Sequence, residues 1–153
     1  MTNKQSVLST VNVTRVFDTS SGKVVALRDV NMEIYPGQLI AVVGRSGSGK
    51  TPLLNLMGGL DKATSGSVFF KDRSLSQMSE SDLTKLRRHE IGFVFQSFGL
   101  IPLLSAFENV ELPLRILGMG IRERKNRVLE VLDMVGLSQR ANHRPYELSG
   151  GEQ

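Results

Sequence analysis

Gly44, Arg45, Ser46, Gly47, Ser48, Gly49, Lys50 and Thr51 run in the order G-x-x-x-x-G-K-[ST], the pattern of a loop that cradles nucleotide phosphates. The residue types are physically linked. Glycines let consecutive backbone N–H groups turn toward one anion, Lys50 can neutralise β/γ-phosphate charge, and the Thr51 hydroxyl is of the kind that ligates Mg²⁺. A nucleotide is therefore the first ligand to expect.

Such a loop works only between a strand and a helix. Leu39-Ile40-Ala41-Val42-Val43 is a continuous apolar run of the kind buried on both faces of a parallel sheet, and Lys50 to Leu56 begins a helix that should end at Gly58-Gly59. A glycine-rich turn with a chance lysine would not require that context. Upstream, Ser6 to Phe17 and Val24 to Ile34 read as two strands of a hairpin separated by the polar turn Asp18 to Lys23. Pro36-Gly37 marks a further turn, Ser67 to Phe70 a short strand, and Ser79-x-x-Asp82 the start of a helix through Arg88. Ile91 to Phe95 reads as another buried strand, and Gln96 stands at its carboxyl end, where open α/β sheets place ligand-binding groups. Beyond Gln96 the periodicity turns helical. Ser105-x-x-Glu108 is a capping box opening a helix that Pro113 should kink. Val128, Val131, Leu132 and Val135 then share one helix face, with Gly136 suited to the helix end.

Phosphate loop, glutamine after an apolar strand, and Leu148-Ser149-Gly150-Gly151-Glu152, in that order, resemble the nucleotide-binding domain of an ATP-binding cassette (ABC) transporter. VFQSFGLIPLLSAFENVELPL and YELSGGEQ look like the lipoprotein-releasing and macrolide-export type, whose ATPases work with FtsX-like permeases. The resemblance implies an α/β P-loop NTPase with an N-terminal antiparallel β part, an incomplete parallel core sheet and a helical subdomain. It implies residues 1–96 as the phosphate-loop part of the core, 97–147 as the helical subdomain and 148–153 as the start of the signature motif.

Individual positions take roles from the same resemblance. Phe17 stands where the family places an aromatic that stacks on adenine, although a strand core residue is an equal reading. Pro52 departs from the family's Ser or Thr, whose N–H and hydroxyl reach the α-phosphate; proline has neither donor and biases Thr51 away from helical dihedrals. Gln96, with Thr51, is implied as a Mg²⁺ contact, against the plainer reading of a polar residue at a strand end. Phe98 to Leu104 is either core or a docking patch beside the permease. Ser149 to Glu152 also fits a capping box, but that does not explain Gly150 and Gly151, which in the family face the γ-phosphate of ATP held by the opposite subunit of a homodimer. His89 and His143 fall outside any ligand-like spacing and read as surface residues.

In the family the LSGGE helix leads to a strand ending Asp-Glu, then a switch histidine, whereas this sequence stops at Gln153. The expectation is a truncated cassette with an exposed apolar edge, able to bind ATP with Mg²⁺ but holding no nameable catalytic base. The alternatives are a non-hydrolysing nucleotide-binding remnant and a soluble, non-transport ABC ATPase.

Composition narrows the surroundings. The chain has 153 residues, 40% of them hydrophobic, no cysteine and a net charge of +4. Disulfides and thiolate metal sites are thereby excluded. The first ten residues lack a signal-peptide pattern and no apolar run is long enough to span a bilayer, so the expected location is cytoplasmic, peripheral on the inner face of the cell membrane through the permease. Basic residues are dispersed, and the cluster Arg122-Glu123-Arg124-Lys125 is broken by an acid, which reads as a solvated helix face rather than a nucleic-acid surface.

Overall fold

Val recurs through Leu8–Thr19 and Gly22–Ile34, joined by Thr and Phe in the first and by Leu, Met and Ile in the second, and these stretches form strands β1 and β2, an antiparallel hairpin that turns at Ser20-Ser21. The computed structural model describes residues 5–153. β3 (Ser65–Phe70) pairs antiparallel with the other edge of β1, and the short β4 (Arg73–Ser74) pairs with β3, giving a four-stranded sheet of order β2-β1-β3-β4. The β1 register shifts between Thr10 and Val16, a bulged region in which Asn12 of β1 and Asp29 of β2 both take a φ of 48°. The Asn31 side chain fills the gap, accepting from the Asn12 N–H at 2.8 Å and donating to the Asp29 carbonyl at 2.9 Å. Bulges of this kind tighten the twist and re-aim the residues that follow.

Helix α1 (Lys50–Met57) buries Leu53, Leu56 and Met57 in a core with Val13, Leu27, Val68, Phe70 and, from the segment beyond the sheet, Leu75, Leu83 and Leu86. The last two belong to α2 (Glu80–His89), whose N-cap Ser79 hydroxyl accepts from the Asp82 N–H. These elements make one compact unit, which ends at Gly92.

The second unit, Phe93–Gln153, is helical. The expected capping box is present in both directions at α3 (Ala106–Ile116): the Glu108 carboxylate accepts from the Ser105 N–H at 2.7 Å and the Ser105 hydroxyl accepts from the Glu108 N–H at 3.2 Å. α3 continues through Pro113. α4 (Ile121–Met134) packs Val128 and Leu132 against Ala106 and Leu148, and Arg124 reaches back to Glu111 at 2.7 Å. Gly136, at φ 73°, ends α4 as expected: its N–H bonds the Asp133 carbonyl and that of Leu137 the Leu132 carbonyl, the paired 5→2 and 6→1 bonds that close a helix through a left-handed glycine.

Two expected strands are not formed. Residues 39–43 and 91–95 belong to no helix or strand, and Leu39 (98% exposed), Val43 (87%) and Val94 (103%) stand in solvent. A strand in a parallel sheet exists only through its ladder and through apolar cover on both faces, and among the described residues neither run has a ladder partner. The sheet that does form is antiparallel throughout.

Candidate functional site

The phosphate loop is closed by its own lysine. Lys50 Nζ donates to the carbonyls of Gly44 at 2.9 Å and Arg45 at 2.7 Å and lies 3.4 Å from the Ser48 hydroxyl, while the Ser48 N–H turns back to the Arg45 carbonyl at 3.2 Å. Gly47 and Gly49 hold φ of 78° and 88°, a region that costs a side chain dearly. A β-carbon on Gly44 would stand 2.6 Å from the Ser48 hydroxyl. Gly49 is buried against β2, where a β-carbon would strike the Ala26 carbonyl and lie 2.9 Å from Leu27 Cδ2. The hairpin thus serves as the seat of the loop.

Gly49 is also the N-cap of α1. Among the described residues the helix has no side-chain cap and no acid in its first turn. Its leading N–H groups have no carbonyl behind them within the helix, which leaves a positive end suited to an anion. The first intrahelical bond runs from the Leu53 N–H to the Gly49 carbonyl at 3.0 Å, so Pro52 sits in the first turn, where a missing N–H breaks nothing. Thr51 is helical despite the proline after it, and exposed. The donors at hand fit a polyphosphate, with one fewer at Pro52 than a serine or threonine would give.

Phe17, half-buried near the end of β1, pairs with Val24. Arg15, two residues earlier, lays its guanidinium over the Phe17 ring at 4.4 Å from the centroid. The same guanidinium meets Asp61 through two bonds of 2.9 Å, Nε to Oδ2 and Nη2 to Oδ1. Neither Arg15 nor Asp61 stands out in the sequence. The one available signal is that Arg15 and Phe17 are spaced two apart in a strand and so share a face.

Gln96 lies exposed in the turn that follows the stacked rings of Phe93 and Phe95, whose centroids are 5.6 Å apart. Phe98, at φ 63°, and Gly99 continue that turn. Ile101 to Ser105 is then pinned by Asn109: its side chain accepts from the Ile101 N–H at 2.8 Å and donates to the carbonyls of Leu104 and Ser105, each at 3.0 Å. Asn109 too escapes a reading of the sequence, because a mid-helix asparagine carries no local signal of the loop it holds. Phe98, Ile101 and Leu103 are left exposed.

Leu148 is buried in the helical core, and from it the chain leaves as a turn in which the Glu152 carboxylate accepts from the Ser149 N–H at 2.8 Å. That backbone bond and the Ser149 hydroxyl, with the charges of Arg140 and His143, hold the Glu152 carboxyl below its usual range. Gly150 and Gly151 have ordinary φ. A β-carbon on Gly150 would find only Phe98 Cζ, 4.0 Å away, and one on Gly151 nothing within 4 Å among the described residues.

A phosphate loop set between an antiparallel hairpin and α1, followed in the second unit by an exposed glutamine and a glycine pair, defines a nucleotide-binding cassette. The family profile described as ABC transporter matches residues 27–153, and the chain belongs to that family. It is 44% identical over 149 residues to an uncharacterized ABC transporter ATP-binding protein of Thermotoga maritima, covering 97% of this chain and 64% of that protein. It is 46% identical over 141 residues to the macrolide export ATP-binding/permease protein MacB of Wolinella succinogenes, covering 92% of this chain and 22% of that one. The dimeric ATP-binding cassette MJ0796 bound to ADP and Pi superposes with a TM-score of 0.87 at 44% identity, covering 95% of this chain and 64% of that structure. The chain thus spans just under two thirds of the single-cassette relatives it matches.

Proposed function

We propose that the chain is the phosphate-loop and helical part of an ABC transporter ATPase that binds Mg-ATP and, in the intact cassette, couples hydrolysis to export or lipoprotein release through an FtsX-like permease. One observation carries this reading: Lys50 folded back onto the Gly44 and Arg45 carbonyls beside a helix start without a side-chain cap or an acid. In it, Gly44 to Thr51 and Pro52 surround the phosphates, Lys50 offsets their charge, the Thr51 hydroxyl is the metal contact that the loop offers, and Phe17 stacks on the base. A bound magnesium ion supplies charge neutralisation on the phosphates.

Ser149, Gly150 and Gly151 form the second half of a composite site, open to the nucleotide of a partner copy; the similar cassette MJ0796 is dimeric. The exposed Phe98, Ile101 and Leu103, in a segment that Asn109 pins from Ile101 to Ser105, are the permease-docking patch, through which the protein would sit on the inner face of the membrane. No helix among the described residues is long and apolar enough to cross a membrane by itself. Residues 1–96, 97–147 and 148–153 serve as core, helical subdomain and signature start.

Calorimetric titration of Mg-ATP into the purified chain tests the reading. Pro52→Thr restores one charge-assisted bond of about 1.5–3 kcal/mol and should tighten binding by roughly ten- to a hundredfold. An unchanged dissociation constant would refute the role given to position 52, and no heat of binding in either protein would refute nucleotide binding itself.

A further inference from the structure

Asp61 follows the last residue of α1 by four positions, and the segment that carries it is stitched to β1. The Thr64 N–H bonds the Thr14 carbonyl at 2.9 Å, and the Val16 N–H bonds the Thr64 hydroxyl at 3.0 Å. Asp61 Oδ1 also accepts from the Lys62 N–H at 2.8 Å, which fixes the carboxylate's own direction. Two parallel bonds from such a carboxylate set the plane of the Arg15 guanidinium as well as its position. That plane lies against Phe17. The Arg15 and Asp61 side chains are 23% and 28% exposed, sheltered enough for the pair to outlast solvent screening better than a surface ion pair would.

We infer that Arg15, clamped by Asp61, is a positioning residue for the nucleotide base: it holds one face of the Phe17 ring and leaves the other as the platform on which a purine stacks. The inference rests on the reading of Phe17 as the base-stacking residue. Three observations carry it. The guanidinium occupies a ring face, so the ring cannot turn freely. Phe17 is only half-buried, so ring surface remains for a ligand. Asp61 lies four residues beyond α1, whose first residue is Lys50 of the phosphate loop, so one short stretch of chain links the clamp to the loop. A cation over one face also draws π-electron density toward itself, which favours an electron-rich base on the opposite face. A lone Phe17 would present either face and both rotamers of a half-exposed ring.

The test compares Mg-ATP with magnesium tripolyphosphate, which has the phosphates and no base, on the full chain and on its Phe17→Ala, Asp61→Asn and Arg15→Lys variants. Asp61→Asn keeps shape and loses the clamp; Arg15→Lys keeps charge and loses the plane. Each should weaken ATP by about threefold to tenfold while moving tripolyphosphate by less than about twofold, and neither should add to the loss already caused by Phe17→Ala. If Asp61→Asn and Arg15→Lys weaken both ligands alike, or weaken neither, while Phe17→Ala still lowers ATP alone, the positioning role is overturned and the base-stacking reading stands. If Phe17→Ala leaves the ratio of the two affinities unchanged, the base-stacking reading falls, and the inference with it.

Discussion

Gly49 has no room for a β-carbon, and among the described residues Gly151 has nothing within 4 Å of one. The two residues belong to the two glycine-bearing segments of the molecule, Gly44–Thr51 and Leu148–Gln153, and the difference separates two reasons for a glycine. In the phosphate loop, positive φ at Gly47 and Gly49 and crowding at Gly44 and Gly49 account for the glycines from within the chain. Around Ser149 the described residues set no such requirement: neither Gly150 nor Gly151 has a positive φ, and a β-carbon there would meet little or nothing, which is compatible with the partner's nucleotide proposed above. In one segment the chain's own fold requires the glycines; in the other it does not.

Substitutions can break or sharpen that contrast. The largest effect is expected from Gly49→Ala, which forces a methyl toward the Ala26 carbonyl at a left-handed φ and should lower unfolding free energy by about 3 kcal/mol, read from denaturant melts. Next comes Lys50→Ala, which removes the cation that faces the phosphates and should weaken Mg-ATP by about a hundredfold in the same titration. An effect below about threefold would show that the loop's backbone, not its lysine, holds the ligand.

A smaller change is expected from acid. The Glu152 carboxyl is lowered in the folded chain by the Ser149 N–H and hydroxyl, so its contribution is present above the ordinary glutamate pKa of about 4.3 and is lost as pH falls through the lower folded value. Between about pH 6 and about pH 3 the thermal midpoint should therefore drop less in Glu152→Gln than in the parent. Equal drops would mean that the turn at Ser149 adds nothing to the fold. The smallest effect is reserved for Gly151→Ala, which should stay within about 0.5 kcal/mol of the parent in stability. A loss as large as that of Gly49→Ala would erase the distinction between the two segments.

Features set by a few neighbouring residues are legible in the sequence. The caps at Ser79 and Ser105, the glycine end of α4 at Gly136 and the hairpin of β1 and β2 lie where short-range chemistry puts them. The hairpin runs closer to its turn than expected, because Asp18↔Lys23 and Thr19↔Gly22 extend the ladder into residues that read as loop. The family is legible from three ordered motifs. Features that need a distant partner are not. Residues 39–43 and 91–95 have the composition of buried strands, yet composition supplies only one side of a ladder. The Arg15–Asp61 clamp joins residues 46 apart, and Asn109 holds a loop eight residues upstream through a side chain that has no local pattern.

The bonds from Lys50 to the Gly44 and Arg45 carbonyls bear on timing as well as shape. An ammonium bonded to two carbonyls of its own loop helps hold that backbone folded, so under the proposed function a polyphosphate exchanges for existing contacts rather than ordering a flexible segment. Capture should then be a fast, single-phase encounter whose rate falls with ionic strength, and departure, not arrival, should set how long a nucleotide stays.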